Sequence, residues 1–149
     1  LLQRGFDVEA VSRFVLGRYW RQASEQERHD FGLLFEDYVV ATYAVRLGHY
    51  ERDMFIVNGS RLLDGEAEAM VQSEIRAPQG PSVRVDWRMR QDGTTWRITD
   101  IVVEGVSMAV AQRAEFASVI RNDGGVNGLI ARLAAKTRSL SDRRYAEKH

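Results

Sequence analysis

The chain has 149 residues, 44% hydrophobic and 28% charged, with two prolines and no cysteine. That is the make-up of one globular domain, long enough to bury about 68 to 70% of its unfolded surface without disulfides or metal. The missing thiol excludes cysteine nucleophiles, iron–sulfur clusters and thiolate zinc sites, and leaves the compartment open. Lys and Arg together number 21, as do Asp and Glu, so no net field draws the chain to nucleic acid or to an acidic membrane surface. No apolar run approaches the roughly 18 residues of a membrane span, and Leu1-Leu2-Gln3-Arg4-Gly5 lacks the parts of a signal peptide.

Asp7 is placed to cap a first helix in which Val8, Val11 and Val15 recur at helical spacing. Phe14 and Leu16 widen its core-facing stripe, and Tyr19 and Trp20 close it. Ser24 followed by Glu27 predicts a capping box, and Phe31, Leu34, Phe35, Tyr38, Val39 and Thr42 then keep a 3.6-residue period to about Leu47.

The pattern next turns to strands. Phe55-Ile56-Val57 leads into Asn58-Gly59, read as a turn, and Val71, Ser73 and Ile75 alternate inward against Gln72, Glu74 and Arg76. After Pro81 the alternation is cleanest, with Val83, Val85, Trp87 and Met89 on one face and Arg84, Asp86, Arg88 and Arg90 on the wet one. Asp92-Gly93 predicts a two-residue type I′ hairpin that sets Met89 opposite Trp96, Trp87 opposite Ile98 and Arg88 opposite Arg97. Ile101 and Val103 continue the apolar phase of Ile98 only if one extra residue sits near Thr99-Asp100, which predicts a β-bulge.

Ser107 is expected to cap a helix with Phe116, Val119 and Ile120 facing in, and Gly124-Gly125 to break it. Val126, Leu129, Ile130 and Leu133 form a last short amphipathic helix. Two helices, four antiparallel strands and two helices make an α+β fold, with helices on one face of a curved sheet. Residues 1–138 are expected to be a single domain and 139–149 a polar tail.

Chemistry is sparse. His29, His49 and His149 have no metal-ligand spacing, so no metal is expected. Gly105-Val106-Ser107 lacks the second glycine of a nucleophile elbow, and no phosphate-binding glycine loop occurs. The arginine face reads as acid-balanced through Asp86 and Glu74, or as a docking patch for an acidic partner; the first reading is favoured. Phe35, Tyr38, Tyr43, Trp87, Met89, Trp96, Met108 and Phe116 supply aromatic and Met surface for either a packed core or an enclosed apolar pocket. An enzyme reading would take Asp86 or Asp100 as base and Tyr43 as hydrogen-bond donor.

Phe14-Val15-Leu16-Gly17-Arg18-Tyr19-Trp20, followed by Ala23-Ser24 and Glu27-Arg28, resembles the signature of the MlaC, or toluene-tolerance, family of periplasmic phospholipid carriers. Glu104-Gly105-Val106-Ser107-Met108, Gln112-Arg113, Glu115-Phe116 and Gly125-Val126-Asn127-Gly128-Leu129 resemble that family's second half, as do Tyr43 and the Trp87 to Trp96 hairpin. The resemblance covers residues 6–138. It implies a cone-shaped α+β scaffold, similar to NTF2 or cystatin folds, that holds acyl chains between helices and sheet. The expected tail contacts are Phe35, Val39, Tyr43, Trp87, Met89, Val103, Met108, Phe116, Ile120, Leu129 and Leu133.

The resemblance further implies a monomeric, non-catalytic protein with no cofactor beyond its lipid cargo. It would exchange phospholipid in the periplasm between an outer-membrane lipoprotein complex and an inner-membrane ABC transporter with its MCE-type protein. A signal peptide and further helical residues would precede Leu1. A hopanoid-associated (HpnM-like) lipid carrier is the alternative within the family.

Overall fold

The helix start at Ser24 is built as its residues dictate: the Glu27 N–H donates to Ser24 Oγ (3.1 Å) and the Ser24 N–H to Glu27 Oε1 (2.8 Å). The computed structural model describes residues 5–47, 54–63, 65, 67–76 and 80–148, without the side chains of 43–47 and 144–148. The chain divides into two units that alternate in sequence, Leu1–Asp7 with Tyr50–Ala111 and Val8–His49 with Gln112–His149. The first carries the sheet and the second most of the helix.

In the helical unit α1 (Val8–Leu16) buries Val11, Ser12, Val15 and Leu16. Gly17, at φ +56°, ends it, and its N–H is shared between the carbonyls of Arg13 and Phe14, both at 3.1 Å. Tyr19 and Trp20 therefore belong to a separate short helix, α2 (Tyr19–Gln22), and do not continue the first. Phe14 corrects the expectation of a core residue, being 39% exposed. At about 100° per residue the buried side chains of α1 span an arc of about 140°, and Phe14 falls about 60° outside it. Its ring instead carries the Arg113 guanidinium, 5.2 Å from the centroid.

Helix α3 (Glu25–Leu47) keeps the expected bounds and buries Phe31, Phe35, Tyr38, Val39 and Ala41. It packs against α1 and along α5 (Gly125–Lys148), which follows α4 (Met108–Asn122) after Gly124 and Gly125, at φ +91° and +76°. Residues 139–148, read as a polar tail, continue α5. No Gly or Pro interrupts their Ala, Arg, Glu and Lys, which are good helix formers. The short final helix of the sequence reading is thus 24 residues long.

The sheet unit is an antiparallel meander of five strands in sequential order: β1 (Phe55–Leu62), β2 (Glu68–Ile75), β3 (Val83–Asp92), β4 (Thr95–Val103) and the two-residue β5 (Val106–Ser107). Asn58-Gly59 is not a turn. β1 runs through it, and the register steps between Val57 opposite Ser73 and Gly59 opposite Gln72, leaving Asn58 as the extra residue of a bulge. The bulge expected in β4 is formed: Arg88 faces Asp100 and Met89 faces Ile98, so Thr99 is unpaired and donates its hydroxyl to the Arg88 carbonyl (3.3 Å). Two bulges bend this sheet.

The β3–β4 hairpin differs from expectation by one loop position. Asp92 pairs with Thr95, leaving Gly93-Thr94 as the loop, with positive φ at Gly93 alone (63°), the pattern of a type II′ turn. Met89 therefore faces Ile98, Trp87 faces Ile101, Gln91 faces Trp96, and the like-charge pair becomes Arg90 and Arg97. Carboxylates offset it: Asp7 Oδ2 lies 2.6 Å from Arg90, and Asp92 Oδ2 3.2 Å from Arg97. Arg88 pairs with Glu68 (3.0 Å) and Arg84 with Asp86 (3.1 Å), so the wet face is acid-balanced. Asp86 is nonetheless buried, at 8% exposure, and Glu74 pairs with Arg76 (3.5 Å).

Candidate functional site

Alternation gathers the apolar side chains of the sheet on one face. Val85, Trp87 and Met89 stand beside Ile98, Ile101 and Val103 on β4 and beside Ala69, Val71, Ser73 and Ile75 on β2. Phe55, Val57 and Leu62 extend that face along the edge strand β1. Ala69, Ser73, Ile75, Val85 and Ile101 are buried, Trp87, Met89 and Val103 are half-buried, and the edge residues Val57 and Leu62 are 72% and 59% exposed.

Ser73 brings a hydroxyl into this face, and the hydroxyl is fully engaged. Its O–H donates to the Val85 carbonyl (2.6 Å) and its oxygen accepts the Trp87 indole N–H (3.0 Å). The Trp87 ring is thereby tied to the sheet with its polar atom satisfied, and the indole offers apolar surface without an orphaned donor.

In the helical unit three rings form one cluster. Phe31 and Phe35 stack at 5.4 Å, and Phe116 meets each edge-on at 5.9 Å. Val39, Ile120, Leu129 and Leu133 are buried in the same unit. Among the expected tail contacts, then, Phe35 and Phe116 touch directly, while Trp87, Met89 and Val103 share the sheet face. Met108 opens α4, half-buried. The side chain of Tyr43 lies outside the described residues. The expected tail contacts omit Phe31, the least exposed of the large side chains, and Val85 and Ile101, although the same periodicities place all three inward.

A separate cleft of about 380 Å³ opens in the helical unit between α1 and α3, lined by residues including Val8, Ser12, Trp20, Arg28, Leu33 and Glu36. None of the expected tail contacts lines it. Trp20 carries the guanidinium of Arg28 at 4.8 Å and that of Arg13 at 5.8 Å, and Arg28 Nε donates to the Trp20 carbonyl (2.8 Å).

The groups considered for acid–base chemistry have structural partners. Asp100 accepts the Ser107 hydroxyl and the N–H groups of Ile101 (2.8 Å) and Ala109 (3.0 Å), and Asp86 holds Arg84. Among the described residues no three of His, Asp and Glu gather as a metal site would require; His49 and His149 lie outside them. Nor is any described helix long and apolar enough to cross a membrane.

The family model named MlaC protein matches residues 1–135. The chain belongs to the MlaC family. Among MlaC-family relatives, the toluene tolerance protein ttg2D of Pseudomonas putida is 21% identical over 119 residues, covering 79% of this chain and 55% of that protein. The intermembrane phospholipid transport system binding protein MlaC of Haemophilus influenzae is 22% identical over 130 residues, 85% of this chain and 60% of that one. The chain thus spans a little over half the length of these curated relatives. A phospholipid-binding protein from Ralstonia solanacearum, solved in complex with a phospholipid, superposes with a TM-score of 0.81 at 24% identity, over 94% of this chain and 78% of that one. The MlaC-family chain therefore shares that protein's fold.

Proposed function

We propose that this chain is a phospholipid-binding carrier and not an enzyme, holding acyl chains on the apolar sheet face and on the apolar side chains of the helical unit. The observation that carries the reading is the Ser73–Trp87 arrangement: a broad apolar face whose central polar atoms are already paired suits a hydrocarbon ligand. Family membership and the phospholipid bound to the Ralstonia solanacearum protein support it. Covering one 16-carbon tail is worth on the order of 12 kcal/mol at about 0.8 kcal/mol per CH₂, enough to hold a lipid in water with its headgroup outside.

In this reading Phe35, Val39, Tyr43, Trp87, Met89, Val103, Met108, Phe116, Ile120, Leu129 and Leu133 contact the tails. The carrier works in the periplasm, taking phospholipid between an outer-membrane lipoprotein complex and an inner-membrane ABC transporter with its MCE-type protein. Solvent extraction of protein purified from a Gram-negative host, with mass spectrometry of the extract, tests the proposal. A stoichiometric diacyl phospholipid is the expected result. A polycyclic hopanoid would move the protein to the alternative cargo, and no lipid, bound or exchangeable, would contradict the carrier reading.

A further inference from the structure

The cleft between α1 and α3 lies wholly within the helical unit, and its lining includes Glu9, Glu25 and Glu36. These three carboxylates pair with no basic residue among the described residues, whereas Glu27 and Asp30, also on α3, are each held by a neighbour. The basic residues of the lining are Arg28 and His29. The Arg28 guanidinium is already engaged by the ring and carbonyl of Trp20. With His29 neutral, three negative charges thus face one positive charge that has its own partners, and the carboxylates repel one another until a cation enters.

Two features of the floor point the same way. Ser12 is 2% exposed and its hydroxyl has no hydrogen-bond partner, although a buried hydroxyl ordinarily has one. Beside it stands Gly32, in the interior of α3, where glycine weakens a helix relative to alanine. A β-carbon on Gly32 would meet Ser12 Oγ at 3.9 Å and Val8 Cγ1 at 3.7 Å, both ordinary contacts, and the φ of Gly32 is not positive. Neither packing nor backbone requires the glycine, and its missing side chain leaves room next to the unpartnered hydroxyl. Helical spacing brings carboxylates to the same place, since Glu9 lies one turn from Ser12 on α1 and Glu36 one turn from Gly32 on α3.

Apolar surface completes the lining through Val8, Trp20 and Leu33, of which Leu33 is 53% exposed. An inorganic cation would leave that surface uncovered, and a neutral or anionic ligand would leave the carboxylates unpaired. An ammonium group carried on an apolar body answers both, with three N–H donors for Ser12 Oγ and the flanking carboxylates. The cleft volume of about 380 Å³ falls within the range of small-molecule pockets.

We propose that this cleft binds a small organic ammonium ion, its nitrogen between Ser12, Glu9 and Glu36 and its apolar body against Val8, Trp20 and Leu33, with Glu25 adding charge at the rim. None of the proposed tail contacts lines the cleft, so the site stands whether or not the chain carries lipid.

The test follows the backbone amide resonances of the full chain as phenethylammonium chloride is added, with 2-phenylethanol and 3-phenylpropionate as neutral and anionic counterparts of similar size. The ammonium ion is expected to bind saturably at about 1 mM, as suits a ligand of so few atoms. It should shift the amides of α1 and of residues 25–36, and bind less tightly as salt is raised. The alcohol and the carboxylate should each bind at least about tenfold more weakly, for want of charge-assisted hydrogen bonds. Ser12→Ala removes an acceptor and Gly32→Ala fills the space, and each should weaken the ammonium ion about tenfold. Their melting temperatures should stay at or above the parent's, because alanine is the better helix former at both positions. Glu9→Gln and Glu36→Gln should each weaken binding about threefold. Asp142→Asn, which removes an exposed charge from α5, should leave it unchanged.

Equal affinity for 2-phenylethanol would make the cleft merely apolar and overturn the proposal. So would the absence of saturable shifts with the ammonium ion, shifts centred outside α1 and α3, or binding indifferent to Ser12→Ala and Gly32→Ala in folded protein.

Discussion

The Ser107 hydroxyl donates to the Asp100 carboxylate and accepts the Val110 N–H (3.1 Å), so a residue just past the β4 bulge and the residue before α4 share the cap of that helix. Asp100 also takes the Ala109 N–H, placing a carboxylate at the positive end of the helix dipole. Asp100→Asn should therefore lower stability by about 1 to 2 kcal/mol, measured by urea denaturation, and leave bound lipid unchanged in the folded fraction. A stability equal to the parent's would refute the capping role.

Gly128 has no room for a side chain. A β-carbon there would stand 1.7 Å from the Asp123 carbonyl oxygen, which belongs to backbone at the α4–α5 turn. Gly128→Ala should cost about 3 kcal/mol through forced displacement of that turn, seen as a fall in melting temperature. Phe14→Ala should cost less, about 0.5 to 1 kcal/mol, because it removes little more than the Arg113 stack from an exposed ring.

Much of this architecture was legible because it rests on local chemistry. The Ser24–Glu27 box, the Ser107 cap and the Gly124-Gly125 break each need only a few neighbouring residues. The Thr99 bulge was legible because a two-residue period admits no other way to keep Ile98, Ile101 and Val103 on one face. Asn58-Gly59 was not, because the same dipeptide suits a turn and a bulge and only pairing with β2 decides between them. The hairpin loop was off by one because Gly93 serves at either loop position, and that choice moves each pair between the loop and the bulge by two residues. Phe35 and Phe116, 81 positions apart, are each turned inward by periodicity, which says nothing of their meeting, just as nothing in the spacing of Arg18 and Arg121 announces that both lower the Tyr19 pKa.

Tyr19 sets a pH dependence. Its folded pKa is lowered by Arg18 and Arg121, so the folded state holds the tyrosinate more readily than the unfolded chain, whose phenols titrate near about 10. The resulting stabilisation grows as pH rises from the folded pKa to the unfolded one and is lost as pH falls through the folded pKa. Absorbance titration should show one tyrosine ionising early, and Arg18→Gln should return it toward the ordinary value. An unchanged early transition in Arg18→Gln would contradict the assignment.

Native mass spectrometry of the parent beside Met89→Trp tests whether lipid tails lie on the sheet face. Met89 stands half-buried between Ala69 and Ile98, so the larger ring should occupy tail space at an overpacking cost of about 1 to 3 kcal/mol, within the 5 to 15 kcal/mol typical of a domain. The parent should carry lipid and the variant should be folded but empty; a folded Met89→Trp protein that retains as much lipid as the parent would mean that the tails lie elsewhere.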